Sequence, residues 1–369
     1  MSIVLFIIVL VVLIVVHELG HFLVAKFFGI RVEEFGIGYP PRAFTIGTFR
    51  DTTYTLNWLP FGGFVRIFGE RPGVQYPLHD KQYAFVSKTR LVQAAVLAAG
   101  VLFNLLFAWL LFTATFVAGA PTAIDEVDAV GLETRLIVSS VVSGSPASVA
   151  GLLAGDEVVS VSTPRGELQE VLPSAVSAFI QDNVGREITI GYIRDQQTQA
   201  IETVRVTPAH GVLDERPGTP AVGFAMALVA DVSLPLGEAI VEGFFSTTDA
   251  LKSITVGLGT FLFAAVTGSA DWQQVAGPIG IAGLVGDASS VGFTYLLYFT
   301  AFISVNLAVI NLIPLPALDG GRLLFVAIEA VRKKPISDKV ASVFNLIGFT
   351  LIILLMVVVT YHDIARLFS

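Results

Sequence analysis

Four long apolar runs, at roughly residues 3–25, 91–118, 294–318 and 340–360, constrain this chain more than any other feature. A helix rises about 1.5 Å per residue, so some twenty apolar residues cross a hydrocarbon layer about 30 Å thick. The composition agrees, since 54% of the 369 residues are hydrophobic and only 14% are charged. That balance is too apolar for an ordinary soluble domain. The expected fold class is therefore a polytopic α-helical membrane protein with about four transmembrane helices, a membrane re-entrant β element and one extracytoplasmic α/β domain. The net charge of −8 argues against nucleic acid as a partner.

The first run lacks a basic leader and a small-residue cleavage site, so it reads as a retained helix. Orientation follows from Lys and Arg near the ends of the runs. Lys26, Arg31, Arg42, Arg50, Arg66, Arg71, Lys81, Lys88 and Arg90 lie between the first two runs, and Arg332, Lys333, Lys334 and Lys339 precede the last. Both segments are expected on the cytoplasmic side, with both termini and residues 119–230 outside. The resulting divisions are 1–25, 26–90, 91–118, 119–230, 231–293, 294–330 and 331–369.

Within 119–230, residues 136–208 read as a compact domain. "LIVSSVV" and "EITIGYI" are strand-like, and "SPASVAGLLAGDEVVSVS" offers a short helix, a glycine turn and a strand. This pattern resembles a PDZ domain. Residues 43–69 alternate apolar and polar side chains around glycine turns, as hairpins do. Such a segment at lipid depth must be buried in protein or line a cavity, which suits a re-entrant hairpin.

The first run also carries "HELGH". His17 and His21 are four residues apart on a helix and project from one face, so both can grip one metal ion. Glu18 sits beside His17 around the helix, where it reaches an attacking water rather than the ion. This is the H-E-x-x-H arrangement of zinc peptidases. Ionisable groups at membrane depth cost roughly 2.5 kcal/mol or more each, which favours a functional reading over a histidine pair bonded to nearby backbone. The chain has no cysteine, so a third ligand must be His, Asp or Glu. His79, His210 and His362 fall in expected loops or near an end. Asp319, in "NLIPLPALDGGRLLF", ends an apolar run after Pro314 and Pro316 and is the better candidate. Its alternative role is to cap a helix over 321–331; both roles can hold at once.

If Asp319 is to meet His17 and His21, an odd number of crossings must separate the two runs. The run at 91–118 supplies one. The borderline stretch 254–268 is then expected not to span, and to lie on or dip into the outer face.

Taken together, "HELGHFLVAKFFGIRVEEFGIGY", "LPFGGFVRIFGE", the PDZ-like stretch, "GPIGIA" at 277–282 and "SVNLAVINLIPLPALDGGRLLF" resemble the site-2 protease family of intramembrane zinc metalloproteases, bacterial regulator-of-sigma-E type. The resemblance covers nearly the whole chain. It implies one Zn2+ held by His17, His21 and Asp319, with Glu18 as catalytic base. It implies that Asn311 and Asn306 hold substrate, and that Gly62, Gly63 and Phe64 belong to a strand edge that pairs with the substrate backbone. It further implies single-pass transmembrane proteins as substrates, anti-sigma factors or remnant signal peptides, with an upstream site-1-type protease acting first. The setting would be the bacterial cytoplasmic membrane, with the active site toward the cytoplasmic side. The well-known bacterial members carry two tandem PDZ domains, whereas this chain has room for one. Rival readings are a membrane-anchored zinc peptidase acting outside the bilayer, a non-catalytic PDZ scaffold and a metal transporter. Glu18 weighs against the scaffold, because a spent enzyme has no physical reason to keep a costly carboxylate. The scarcity of ionisable residues in the other runs weighs against the transporter.

Overall fold

The computed structural model describes residues 2–70, 79–127, 129–142, 144–194, 199–212, 219–269, 276–334 and 336–367. Arg71 lies outside them. The chain divides into a mainly helical unit, residues 1–114, 236–289 and 296–369, and a β-rich unit, residues 115–235 with 290–295.

The helical unit opens with α1 (Ser2–Phe27), followed by β1 (Val32–Phe49), β2 (Thr52–Ile67) and α2 (Arg90–Ala118). Both helices match their apolar runs to within about two residues. They pack closely at Gly20, where an added Cβ would come within 2.5 Å of the Ala99 carbonyl oxygen. Small residues let membrane helices approach in this way.

The expected hairpin is more elaborate than alternation alone could show. Residues 42–49 run antiparallel to 52–57 through a turn at Arg50 and Asp51, both at positive φ. Residues 34–37 pair twice, antiparallel with 63–66 and, in rising register, with 53–56. β1 and β2 thus each fold back to make four segments in the order 42–49, 52–57, 32–37, 63–67. One buried carboxylate ties all four. Glu34 accepts from Arg42 Nη2 at 2.7 Å and Thr55 Oγ1 at 2.8 Å, and its second oxygen meets Arg66 Nη1 at 3.0 Å. The sheet still shows apolar side chains outward: Phe44, Ile46, Phe49 and Trp58 are all exposed.

The β-rich unit contains β3 (Ala120–Ala123), β4 (Thr134–Val141), α3 (Pro146–Val149), β5 (Glu157–Thr163), β6 (Gly166–Glu167), α4 (Pro173–Asp182), β7 (Ile188–Ile193), β8 (Ile201–Val206) and β9 (Phe224–Val232). The expected strands over "LIVSSVV" and "EITIGYI", and the short helix and glycine turn between them, are all present. Ser145 caps α3 by accepting from the Ser148 N–H at 3.2 Å. The sheet order is β3-β9-β4-β5-β7-β8, with β6 on β5. β9 lies between β3 and β4, so the compact unit reaches beyond 136–208 on both sides. A strand contributed from eighty residues downstream leaves no local sign of its place. Val138, Val161, Val176, Ile188 and Ile190 are fully buried at its centre.

The helical unit resumes with α5 (Leu236–Thr267), α6 (Pro278–Val291), α7 (Phe293–Leu312), α8 (Asp319–Arg332) and α9 (Asp338–Leu367). The stretch 254–268 proves to be the second half of α5, a helix of 32 residues. Among the described residues, five helices rather than about four are long and apolar enough to cross a membrane: α1, α2, α5, α7 and α9. The sequence reading stopped short because Glu238, Glu242, Asp249 and Lys252 dilute the first half of α5, while a helix continues through polar residues that find water. α7 ends at Leu312, and the chain turns through Pro314 and Pro316 into α8. The turn is tight: a Cβ on Gly320 would strike the Leu312 and Ile313 carbonyls, and one on Gly321 the Leu315 carbonyl.

Candidate metal centre

The contact at the C-terminal part of α1 joins residues three hundred positions apart. His17 Nε2 lies 2.9 Å from Asp319 Oδ2, His21 Nε2 lies 3.1 Å from the same oxygen, and the two Nε2 atoms are 3.2 Å apart. Both histidines are buried, and the Asp319 side chain is 14% exposed. Asp319 is the first residue of α8, and Leu318 occupies the capping position without a side-chain bond. The carboxylate therefore serves the histidines rather than capping the helix.

The donor set fits a zinc ion. Ligands about 2.0–2.1 Å from a tetrahedral zinc stand about 3.3 Å from one another, close to the spacings seen here. Two imidazoles and a carboxylate leave one position open, as in catalytic rather than structural zinc sites. Room for an ion is kept by Gly100 on α2. A Cβ there would lie 2.5 Å from His21 Nε2 and 2.7 Å from His17 Nε2.

The outer nitrogens are held too. His21 Nδ1 lies 2.8 Å from the Val96 carbonyl oxygen, an acceptor that directs the ring proton to Nδ1 and leaves Nε2 for a metal. His17 Nδ1 faces the side-chain amide of Asn104 at 3.3 Å. Asn104 is fully buried, and Ser304 on α7 donates to its backbone carbonyl at 2.8 Å. Neither Asn104 nor Gly100 figured in the sequence reading. A signal existed for the first, because Asn104 and Gln93 are the only amides in an otherwise apolar run and polar groups at membrane depth have functions. Gly100 and the Val96 carbonyl carried no such signal.

The remaining candidates fall into two groups. Gly63 lies against α1, where its Cβ would meet Ile14 Cγ2 at 3.0 Å and Glu18 Cγ at 3.3 Å. The β2 segment with Gly62, Gly63 and Phe64 is thereby brought beside Glu18. Gly62 carries the Tyr39 ring over its Cα and Gly36 the Phe64 ring, so both glycines yield space to aromatics. Asn306 and Asn311 are half-buried on α7. The groups bonded to the histidine rings are instead Asn104, Val96 and Asp319.

A buried histidine pair, a carboxylate and a neighbouring glutamate inside an apolar helix have few other uses, and comparison with known proteins agrees. Residues 5–355 match the model of peptidase family M50. The chain belongs to that family. It is 30% identical to the zinc metalloprotease RasP of Geobacillus kaustophilus, over all of this chain and 98% of the relative. It is 29% identical to the regulator of sigma-W protease RasP of Bacillus subtilis, over all of this chain and 99% of the relative. It is also 29% identical to the regulator of sigma-E protease RseP of Salmonella typhimurium, over 98% of each. The protein is a multi-pass membrane zinc metalloprotease of the site-2 type.

Proposed function

We propose that this protease hydrolyses peptide bonds inside the transmembrane segments of single-pass membrane proteins, anti-sigma factors or remnant signal peptides among them. The observation that carries the proposal is the convergence of His17, His21 and Asp319 within helices that are apolar on their outer faces, a place a soluble peptide does not reach. His17 and His21 offer Nε2 and Asp319 offers Oδ2 as the zinc ligands. Zinc held there supplies Lewis-acid polarisation of the scissile carbonyl and lowers the pKa of water. Glu18 accepts the proton of the attacking water and passes it to the leaving amine. The segment around Gly62, Gly63 and Phe64 lies beside Glu18 and offers strand hydrogen bonds to a substrate that has unwound, since a helix hides its peptide bonds. Asn311 and Asn306 hold the substrate from α7.

The metal centre also bears on topology. The C-terminal ends of α1 and α7 both lead to the same cluster, so α1 and α7 cross in the same sense and α2 returns between them. If α5 also crossed alone, Asp319 would emerge on the opposite side. The burial of α5 favours a peripheral course: its buried residues, Ala239, Gly243, Thr247 and Ala250, all lie in its first half. α5 therefore lies at the outer face, both termini and the PDZ-like unit lie outside, and the metal centre opens toward the cytoplasm of a bacterial cell. An upstream site-1-type protease would trim the outer part of the substrate first. A cysteine in place of Thr260 is expected to react with an impermeant maleimide from outside or not at all; reaction from the cytoplasm alone would overturn this topology.

The test of the activity is mass-spectrometric mapping of cuts in single-pass substrates reconstituted with the enzyme in liposomes. Cuts inside the transmembrane segment, lost on chelation, are expected. Cuts outside it would instead make this an anchored peptidase.

A further inference from the structure

Among the described residues, one buried side-chain polar atom has no hydrogen-bond partner, and it lies beside the metal centre: Asn104 Oδ1. An orphaned acceptor in an apolar interior costs about 1–3 kcal/mol, so it calls for an explanation. The other end of the same amide lies 3.3 Å from His17 Nδ1.

The chemistry of the histidine settles which end belongs there. A neutral imidazole has one N–H and one lone pair. If Nε2 gives its lone pair to zinc, the proton sits on Nδ1, and the atom facing Nδ1 must accept. Of the two amide termini only Oδ1 can do so. The termini are nearly equal in size, so a half-turn about the last side-chain torsion exchanges them within the same packing. That one rotation gives Nδ1–H the acceptor that a zinc-bound His17 requires and turns the amide N–H groups to the side where the oxygen had no partner. His21 already has the equivalent arrangement, with the Val96 carbonyl at 2.8 Å from its Nδ1.

We propose that Asn104 is the positioning residue for His17: its side-chain oxygen accepts the Nδ1 proton and fixes the ring with Nε2 turned to zinc. The two metal-binding histidines of α1 are thus oriented by two acceptors of α2, one a side chain and one a backbone carbonyl eight residues before it. Ser304, by bonding the Asn104 carbonyl at 2.8 Å, fastens that part of α2 to α7. The inference rests on the reading of His17, His21 and Asp319 as the zinc ligands. Acceptors that orient a ligating histidine are typically worth 10–100-fold in metal affinity.

The experiment measures zinc affinity of the full-length protein in lipid nanodiscs by competition with a fluorescent chelator. Wild type is compared with Asn104→Leu, Asn104→Asp and Asp319→Ala. Asn104→Leu keeps the volume but has no acceptor, and a 10–100-fold weaker affinity is expected. Asn104→Asp keeps the acceptor and is expected to hold zinc at least as tightly as wild type. Wild-type affinity in Asn104→Leu, or a loss in Asn104→Asp equal to that in Asn104→Leu, would overturn the inference. Asp319→Ala separates the two readings: if it alone loses zinc, the ligand set stands and the role of Asn104 falls, whereas if it keeps zinc the ligand set itself falls. Should Asn104→Leu fail to fold, nitrogen-15 NMR of histidine-labelled, zinc-loaded wild type decides. A proton on His17 Nδ1 shifted downfield by a hydrogen bond is expected; a proton on Nδ1 without that shift would refute the role of Asn104, and a proton on Nε2 would refute the ligand set.

Discussion

Asp156 of the β-rich unit and Asp319 of the helical unit both lie largely out of water, and the two are satisfied in opposite ways. In the β-rich unit, Asp156 accepts from the Leu153 N–H, from Arg194 Nε and from Arg194 Nη2, each at 2.8 Å. The Arg194 guanidinium, held above its ordinary pKa chiefly by the bonds to Asp156, always carries these protons. In the helical unit, Asp319 meets two imidazole nitrogens that also face each other at 3.2 Å. Permanent donors around a carboxylate make a structural joint. Imidazole nitrogens can instead present lone pairs, and in the metal centre we propose, three lone pairs converge on one point and need a cation to hold them, unlike an ordinary buried ion pair.

The comparison breaks if changes at the two aspartates have interchangeable effects. The largest effect is expected from Gly100→Val, whose added carbons would occupy the space between the histidine nitrogens. Zinc binding measured by atomic emission should fall to background while the helical content seen by circular dichroism stays. Retained zinc would mean that the ion does not sit between His17 and His21.

Asp156→Ala should do the reverse. It removes three hydrogen bonds from a buried site but leaves Arg194 partly exposed to water, so a loss of about 2 kcal/mol is expected. Proteolysis should then open the β-rich unit more readily, with zinc content unchanged. A fall in zinc would show that this aspartate is more than a local joint.

Another buried carboxylate sharpens the rule. Glu34 is surrounded by donors from three other sheet segments and should behave like Asp156, not like Asp319. Glu34→Gln is expected to cost about 1–3 kcal/mol locally and to speed hydrogen exchange across residues 32–67, again without loss of zinc.

The smallest effect concerns Glu126, an exposed carboxylate of the β-rich unit. The Ser174 N–H and hydroxyl donate to it at 2.6 and 2.7 Å and hold its pKa below the ordinary glutamate value. A depressed folded-state pKa adds stability above the unfolded pKa of about 4.3, and that stability is lost as pH falls through the folded value. The difference in unfolding temperature between wild type and Glu126→Gln should therefore be present at pH 7 and shrink below about pH 4. A difference that grows on acidification would reverse the sign and remove this interaction.

The parts of this molecule that could be read from sequence are those carried by contiguous residues. His17, Glu18 and His21 lie on one helical turn, and the ends of α1, α2 and α7 follow from apolarity, proline and glycine. Asp319 could be proposed as their partner because the chain has no cysteine and this acid ends an apolar run after Pro314 and Pro316. What stayed hidden depends on chain path. The double pairing of residues 34–37 and the insertion of β9 between β3 and β4 are long-range registers with no local signature. The length of α5 was hidden because its first half is polar enough to resemble a loop. Asn104 was visible as one of two amides in an apolar run, yet its partner could be found only once α1 and α2 were packed at Gly20 and Gly100.

The most direct test of the central claim is to replace Glu18 with Gln and measure, on the same purified sample, zinc content and cleavage of a single-pass substrate in liposomes. The expected result is zinc at one ion per chain, as in wild type, with cleavage abolished, because the ligands His17, His21 and Asp319 remain while the group that takes the proton is gone. Cleavage at the wild-type rate with zinc bound would contradict the account, and so would loss of zinc from a variant that keeps all three proposed ligands.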